Sequence, residues 1–200
     1  VQTFSIQDTT ADWYAKPLNS TASAFEIRHK QHTLRVDWPG MGEYNMGNAL
    51  AAIAAACQTG VPLTQACTAL SGFCFPNKRL QKHASDMGFT LFEDFAHHPT
   101  AVSKTLQTLR QAYPEKRLIA LLELRSNTMQ MGVHSETLAP ALSVADIACV
   151  VSPAHPDWMI TGQTGPRLEQ FARATDCLEY LQPILTPEDL IVVMSNGNFD

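Results

Sequence analysis

Hydrophobic and polar positions follow two different periods along the chain. Residues 23–38, SAFEIRHKQHTLRVDW, alternate on either side of a polar centre, which is typical of an antiparallel hairpin. Residues 44–60 are rich in alanine and end at Gly60, and residues 62–73 begin with Pro62, so both segments favour helices. The first part of the chain therefore predicts a hairpin followed by two helices.

In the second part of the chain, strand patterns alternate with helix patterns. Residues 79–95 predict two strands around a turn, and residues 99–113 place Val102, Leu106 and Leu109 at helical spacing. Further strands are predicted at 116–124, 147–152 and 189–197, and further helices at 135–145 and 167–174. Continuous apolar strands separated by helices predict an α/β fold with a mostly parallel sheet covered by helices on both faces.

The segment SGFCFPNKR, residues 71–79, interrupts both patterns and predicts a boundary between two domains, 1–75 and 76–200. The chain begins without methionine, and its last predicted strand is followed by a loop with no closing helix. We therefore expect the chain to be a piece of a longer protein.

Composition limits the classes of function. A hydrophobic fraction of 45% and a charged fraction of 16% are those of a globular chain with a sizeable core. The formal net charge is −5 and the basic residues are scattered, so we expect no nucleic-acid partner. The longest apolar run, residues 49–57, is too short for membrane insertion. Five cysteines without a C-x-x-C motif fit reduced thiols in a cytoplasmic protein.

Polar side chains gather directly after the predicted parallel strands. They are Glu93, Asp94, His97 and His98, then Glu123, Arg125, Ser126 and Asn127, then His155, and finally Ser195 and Asn196. Because the carboxyl ends of parallel strands share one edge of a sheet, a ligand crevice at that edge is one interpretation. The other is that these are ordinary solvated loops.

Individual residues of this group allow two interpretations each. Asp94 suits a ribose diol, or favours the dipole of the helix that begins near residue 99. The pair His97–His98 lacks a third metal ligand, so we expect no metal site and favour a capping or orienting role. Arg125 suits a carboxylate, or forms a surface salt bridge.

Two further sequence features concern nucleotide binding. Asn45 and Asn48 lie one turn apart at the start of a predicted helix, where they suit an adenine edge or simple capping of the helix. The 200 residues contain no G-x-x-x-x-G-K-[ST] phosphate loop, no G-x-S-x-G elbow and no H-E-x-x-H pair. The chain as given therefore lacks a self-sufficient catalytic constellation.

Several longer segments resemble the ATP-dependent Mur ligases. GEYNMGNALAAIAAA, residues 42–56, is similar to the family motif G-x-H-N-x-x-N-A-L-A-A, and KRLQ, residues 78–81, to R-R-x-E. EDFAHHPTAVSKTLQTLR, residues 93–110, resembles the D-D-[FY]-A-H-H-P-T segment of members that act on UDP-N-acetylmuramate. LELRSNTMQMGVH, residues 122–134, and VVMSNGNF, residues 192–199, resemble E-P-R-S-N-T-M-K-x-G and M-S-N-G-G-F of members that use a free peptide.

The resemblance implies a three-domain enzyme. Residues 1–75 would be the tail of the central ATP-binding domain, and 76–200 the Rossmann-like C-terminal domain that closes over the site. ATP with Mg2+ would activate the lactyl carboxylate of UDP-N-acetylmuramate, and the amine of the murein tripeptide L-alanyl-γ-D-glutamyl-meso-diaminopimelate would attack it. Since the phosphate loop would lie upstream of Val1, we expect the 200-residue piece alone to be inactive.

The resemblance also implies roles for individual residues. Asn45 and Asn48 match adenine-binding positions, Asp94 matches the ribose-binding acid, and Arg79 matches an arginine near the phosphates. His97 and His98 would shape the closed active site. The residues expected to meet the tripeptide are Arg125, Ser126, Asn127, Ser195 and Asn196.

This sequence also departs from the family pattern at several positions. Tyr44 replaces a histidine, Gln81 a glutamate and Leu124 a proline, and Asn198 interrupts a glycine-rich end.

Three alternatives stay open beside this interpretation: a UDP-N-acetylmuramate–L-alanine ligase, which shares the H-H-P segment, a non-catalytic ligand-binding domain, and a metal hydrolase that uses His97 and His98.

Overall fold

The structure, a computed structural model, describes residues 2–152, 160, 167–197 and 199. The chain divides into two compact units, Val1–Pro76 and Asn77–Asp200. The observed division lies one residue beyond the predicted boundary, and the role of each unit in a larger enzyme stays a prediction. In the part of the chain that the structure describes, every helix is too short or too polar to cross a lipid bilayer.

The first unit is a four-stranded sheet with helices. Its elements are β1 Phe4–Ser5, β2 Trp13–Pro17, β3 Ala24–His29, β4 His32–Asp37, α1 Glu43–Gln58, α2 Leu63–Ala69 and a 3-10 turn at Leu70–Gly72. The sheet order is β1-β2-β3-β4, and β3 pairs with β4 as an antiparallel hairpin. Trp13, Phe25, Ile27, Met46 and Leu50 are buried in its core. The predicted hairpin and both predicted helices are confirmed.

The second unit contains a six-stranded sheet. Its strands are β5 Gln81–His83, β6 Thr90–Asp94, β7 Leu118–Glu123, β8 Ile147–Val151, β9 Arg167–Phe171 and β10 Leu190–Met194. The order is β5-β6-β10-β7-β8-β9, and β5 alone among these strands runs antiparallel to its neighbour. The last strand in sequence, β10, therefore lies in the middle of the sheet, where it joins β6 to β7.

Helices cover both faces of this sheet. They are α3 Pro99–Ala112, α4 Asn127–Gln130, α5 Ser135–Leu142 and α6 Ala174–Leu181. Cys177 and Leu181 of α6 share one hydrophobic core cluster with Ile119 and Leu121 of β7, and α6 contacts β8 and β9. The neighbouring positions of the sheet point to the opposite face, where α3 contacts β7 and Tyr113 contacts Phe92. The predicted α/β class, with a mostly parallel sheet, is confirmed.

One predicted element is wrong. The sequence predicts a helix at 167–174, but Arg167–Phe171 is the edge strand β9, and the helix α6 begins only at Ala174. The segment RLEQF has good helix-forming residues, yet its backbone pairs in parallel with Ile147–Val151 of β8. Helix propensity is a weak local preference, and the pairing along the exposed edge of β8 outweighs it.

The ion pair between Arg117 and Asp189 leads to a prediction about how the free energy of unfolding depends on pH. Asp189 is 1% exposed, and the Arg117 guanidinium donates to both of its oxygens, at 2.8 and 2.7 Å, while the Thr186 N–H donates at 2.7 Å. Burial alone would raise the pKa of Asp189, but these donors and the charge of Arg117 outweigh burial and hold the pKa below its ordinary value.

A carboxyl with a lowered pKa stabilises the folded state above its ordinary pKa, and this contribution is lost as pH falls through the lower folded value. We therefore expect the wild-type protein to lose more unfolding free energy than Asp189→Asn on going from about pH 5 to about pH 2. Urea unfolding of the full-length protein at each pH measures this difference. Asp86→Asn, at an exposed position, is the matched control and should follow the wild type. Parallel pH profiles for wild type and Asp189→Asn would contradict the prediction.

Candidate functional site

The carboxyl ends of the central strands meet at one edge of the second sheet. In the register of the parallel strands, Met194 of β10 is paired with Asp94 of β6 and with Leu122 of β7. Glu123 of β7 is paired with Val151 of β8. Asp94, Glu123 and the residues that follow Met194 and Val151 are therefore neighbours, as the strand pattern predicts. His155, which the sequence also placed at this edge, and Asn198, the departure from the family's glycine-rich end, lie outside the described residues.

Asp94 is buried beneath this edge, with 2% of its surface exposed. Its Oδ2 accepts from the Leu80 N–H at 2.8 Å, and its Oδ1 accepts from the Ala96 N–H at 2.9 Å and the Thr105 hydroxyl at 3.1 Å. Burial raises the pKa of Asp94, although these hydrogen bonds and the charge of Arg79 counteract part of that effect. The carboxylate thus ties together the segments that carry Arg79 and the histidine pair. Its predicted contact with ribose stays a prediction.

Arg79 lies between two residues with left-handed backbones, Lys78 at φ 60° and Leu80 at φ 48°. Such conformations cost non-glycine residues about 1–3 kcal/mol and persist where surrounding contacts hold them. Here the Phe95 N–H donates to the Lys78 carbonyl at 2.8 Å, and Asp94 holds the Leu80 N–H. The exposed Arg79 guanidinium lies 5.7 Å from the centre of the Phe95 ring. The backbone therefore presents Arg79 to solvent in a defined place.

Lys78 joins the ends of two strands. Its ammonium group donates to the Gly197 carbonyl, beyond β10, and lies 3.3 Å from a carboxylate oxygen of Glu93 in β6. The other oxygen of Glu93 lies 3.1 Å from His83 Nε2. Reasoning from the sequence missed Lys78, although it stands beside Arg79 in a paired basic motif.

The two adjacent histidines have different partners. His98 is the N-cap of α3, and its Nδ1 accepts from the Thr100 N–H at 3.2 Å, which confirms the predicted capping role for this residue. Its ring lies edge-on to that of His134, with centroids 4.7 Å apart. His97 Nδ1 donates to the Phe95 carbonyl at 3.0 Å. Among the described residues, His, Cys, Asp and Glu side chains form no cluster of three suited to a metal ion.

A second network surrounds Glu123, which is 2% exposed. The Ser195 hydroxyl donates to its Oε2, and the Gly197 N–H donates to the Ser195 hydroxyl at 3.0 Å. Arg125 Nη1 lies 3.7 Å from Glu123 Oε1. A Cβ atom at Gly197 would come within 2.6–2.8 Å of Arg125 Cδ, Nε and Cζ, so only glycine allows this close approach. The structure thus brings Arg125 and Ser195 together around one buried carboxylate.

The remaining predicted peptide-site residues lie near these groups. Ser126 is the N-cap position of α4, with its hydroxyl 3.4 Å from that of Thr128, and Asn127 is exposed at the first residue of that helix. Buried oxygens of Asn196 and Ser152 have no hydrogen-bond partner within the described ranges. Since buried polar atoms normally have partners, each of these oxygens is an acceptor left for water or for a polar ligand. Ser152 was missed because it looked like the end of an apolar strand.

Asn45 and Asn48 belong to the first unit. The N-cap of α1 is Gly42, and no side chain caps the helix, so the capping interpretation of the two asparagines is wrong. Asn45 is buried and its amide donates to the Met41 carbonyl at 2.8 Å, whereas Asn48 is exposed. Their contact with adenine stays a prediction.

Comparison with known proteins identifies the family. Residues 78–197 match the protein family described as "Mur ligase, glutamate ligase domain". The UDP-N-acetylmuramate–L-alanyl-γ-D-glutamyl-meso-2,6-diaminoheptandioate ligases of Escherichia coli and Haemophilus influenzae are 39% and 37% identical to the chain, each over 94% of it. A crystal structure of a murein peptide ligase from Psychrobacter arcticus covers 99% of the chain with a TM-score of 0.73 and 32% identity.

The chain spans less than half the length of these relatives, namely 42% of the Escherichia coli protein, 43% of the Haemophilus influenzae protein and 44% of the Psychrobacter arcticus structure. The match to the family description covers more than half of the chain, and the two curated relatives match nearly all of it. The chain therefore belongs to the Mur ligase family.

Proposed function

We propose that the full-length protein is an ATP-dependent ligase that joins the free tripeptide L-alanyl-γ-D-glutamyl-meso-diaminopimelate to UDP-N-acetylmuramate, in the recycling of peptidoglycan. The observation that carries this proposal is the identity of 37–39% over 94% of the chain to two ligases named for that pair of substrates. The R-S-N-T-M segment supports it, because Arg125 lies beside Ser195 at the edge where the incoming peptide would meet the second unit.

ATP would supply the phosphoryl group that activates the carboxylate of UDP-N-acetylmuramate, and the tripeptide amine would then displace phosphate. Arg79 fits a place near the phosphates, since its guanidinium is exposed and its backbone is fixed on both sides. A magnesium ion keeps several waters and takes most of its remaining ligands from phosphates and one or two carboxylates. The described residues offer no cage of three acidic or histidine ligands, which is compatible with an ion held mainly by the nucleotide.

Asp94 would contact the ribose, as the family resemblance implies. We propose that it also holds Arg79 and the histidine segment in place, since it is buried and accepts from three protein donors. Asn45 and Asn48 would contact adenine, and His97 and His98 would border the closed site. Ser126, Asn127 and Asn196 would line the path of the tripeptide. A cytoplasmic location is part of the proposal, and the free state of the five cysteines is compatible with it.

Phosphate release by the full-length protein tests the proposed reaction. The protein is given UDP-N-acetylmuramate and Mg-ATP with either the free tripeptide or L-alanine. We expect release with the tripeptide only, and none from the 200-residue piece under either condition, because it carries no phosphate loop.

Other results would contradict this function. Release with L-alanine alone would identify a UDP-N-acetylmuramate–L-alanine ligase. Absence of release with both amines would favour a non-catalytic binding protein. Turnover by the 200-residue piece would show that its phosphate-binding group lies within these residues.

A further inference from the structure

Gly197 lies where two parts of the candidate site meet. On one side, the Lys78 ammonium group donates to the Gly197 carbonyl. On the other side, a Cβ atom at Gly197 would come within 2.6–2.8 Å of three atoms of Arg125, so the glycine backbone packs directly against that side chain. Gly197 therefore joins the basic segment before β5 to the residues that were expected to meet the tripeptide.

Contacts on several sides hold Lys78 in its position. Its ammonium group lies 3.3 Å from a carboxylate oxygen of Glu93, and its side chain is 25% exposed. Its backbone N–H donates to the Gln81 side-chain oxygen at 3.1 Å, and its carbonyl accepts from the Phe95 N–H at 2.8 Å. These contacts hold the left-handed backbone of Lys78, at φ 60°. The bond to Gly197 is thus made by a cation whose backbone is fixed and whose charge is paired.

The residues from Ser195 to Gly197 form a loop that is tied at both ends. At its start, the Ser195 N–H donates to the Asp94 carbonyl at 3.1 Å, and the Ser195 hydroxyl donates to Glu123. At its end, the Gly197 N–H donates to the Ser195 hydroxyl at 3.0 Å, and the Gly197 carbonyl accepts from Lys78. Hydrogen bonds from a charged donor are stronger than those between neutral groups. Lys78 therefore contributes the charged contact that fixes the end of the Ser195–Gly197 loop.

We infer that Lys78 is a positioning residue for the incoming amine, because it holds the Ser195–Gly197 loop in the conformation that binds the tripeptide. The inference rests on the proposed function, in which this loop borders the tripeptide. The neighbouring Arg79 is proposed to lie near the phosphates instead, and its guanidinium lies over the Phe95 ring. The two adjacent cations therefore affect different kinetic constants, namely KM for the tripeptide in the case of Lys78 and kcat in the case of Arg79.

Steady-state kinetics on the full-length protein test this role. Lys78→Met keeps the length of the side chain but removes its donors, so we expect KM for the tripeptide to rise about 10-fold. The values of kcat and of KM for ATP should stay within about twofold of the wild-type values. Lys78→Arg keeps a charged donor and should restore most of the lost affinity. Lys82→Met, at an exposed position of β5, is the matched control and should leave all three constants unchanged.

An unchanged KM for the tripeptide in Lys78→Met would overturn the inference, as would a loss confined to kcat or to KM for ATP. A double variant tests whether Lys78 acts through Gly197. Gly197→Ala moves the loop away from Arg125 and should itself raise KM for the tripeptide. Adding Lys78→Met should then raise KM by much less than the product of the two single effects, whereas independent sites would give the full product and would overturn the inference.

Amide hydrogen exchange on the ligand-free full-length protein separates failure of this inference from failure of the proposed function. Lys78→Met should quicken exchange at Gly197 and leave the Leu80 and Ala96 amides, which Asp94 holds, as in the wild type. This selective change in a protein that does not turn over the tripeptide would support the hold of Lys78 on the loop and refute the proposed reaction. Equal exchange at Gly197 in both proteins would overturn the inference even where the tripeptide is a substrate.

Discussion

Replacement of Asp94 by alanine is expected to lower the free energy of unfolding by about 3–5 kcal/mol. The carboxylate is 2% exposed and accepts from Leu80, Ala96 and Thr105. The variant leaves those three donors without their acceptor, and an unsatisfied buried group costs about 1–3 kcal/mol. It also removes the contact that fixes the left-handed backbone at Leu80.

Guanidinium unfolding of the full-length protein measures this loss, and amide hydrogen exchange shows where it arises. Exchange should quicken in the segments around Leu80 and Ala96. Asp94→Asn keeps one oxygen acceptor but turns an amide donor toward a backbone N–H, so it should lose part of the same stability. Asp86→Ala, at an exposed position, should change the unfolding free energy by less than about 0.5 kcal/mol. An unchanged unfolding midpoint for Asp94→Ala would refute the structural role.

The dependence on pH separates Asp94 from Asp189. Burial raises the pKa of Asp94 in the folded state, so its ionisation opposes folding, and its contribution to stability falls as pH rises above its ordinary pKa. The pKa of Asp189 is lowered, so its contribution changes in the opposite direction. Of these two carboxyls, Asp189 therefore contributes to the acid-induced loss of stability of the wild type, and Asp94 does not.

Replacement of Arg79 by alanine is expected to reduce kcat for phosphate release by about 10²–10³-fold, the usual cost of removing one preorganised donor from a charged transition state. Arg79 is exposed and lies over the Phe95 ring, while Asp94 and Phe95 fix the backbone on either side of it. Its backbone is therefore fixed, and its guanidinium lies against the Phe95 ring before substrates arrive. Because the side chain is exposed, the unfolding free energy should change little.

Steady-state kinetics on the full-length protein test this role. Lys82→Ala removes another exposed cation a few residues away and should leave kcat near the wild-type value. Arg79→Lys should recover part of the activity, because it keeps the charge but loses the planar fork. A kcat for Arg79→Ala within about threefold of the wild-type value would exclude a role in the chemical step, since such a change is well below the usual loss.

The sequence predicted which edge of the sheet carries the polar side chains, but it did not predict their hydrogen-bond partners. Polar residues after apolar strands indicated the correct edge of the sheet, and Asp94, Glu123 and Ser195 do lie there. The partners of Asp94 could not be predicted, because Leu80 and Thr105 are 14 and 11 residues away from it along the chain. The strand β9 was missed for a related reason, since residues 167–174 favoured a helix, whereas pairing with β8 makes Arg167–Phe171 a strand.

The sequence by itself determined most kinds of element and the edge of the sheet at which polar side chains gather. Alternation of apolar and polar residues predicted the β3–β4 hairpin, and continuous apolar runs predicted β7, β8 and β10. Both patterns can be read from the local sequence, because they reflect whether one face or both faces of a strand are buried. Only the tertiary structure placed β10 between β6 and β7, buried Asp94, and brought Gly197 against Arg125. These features depend on contacts between segments far apart in the chain, and no local period records which distant segment a residue will meet.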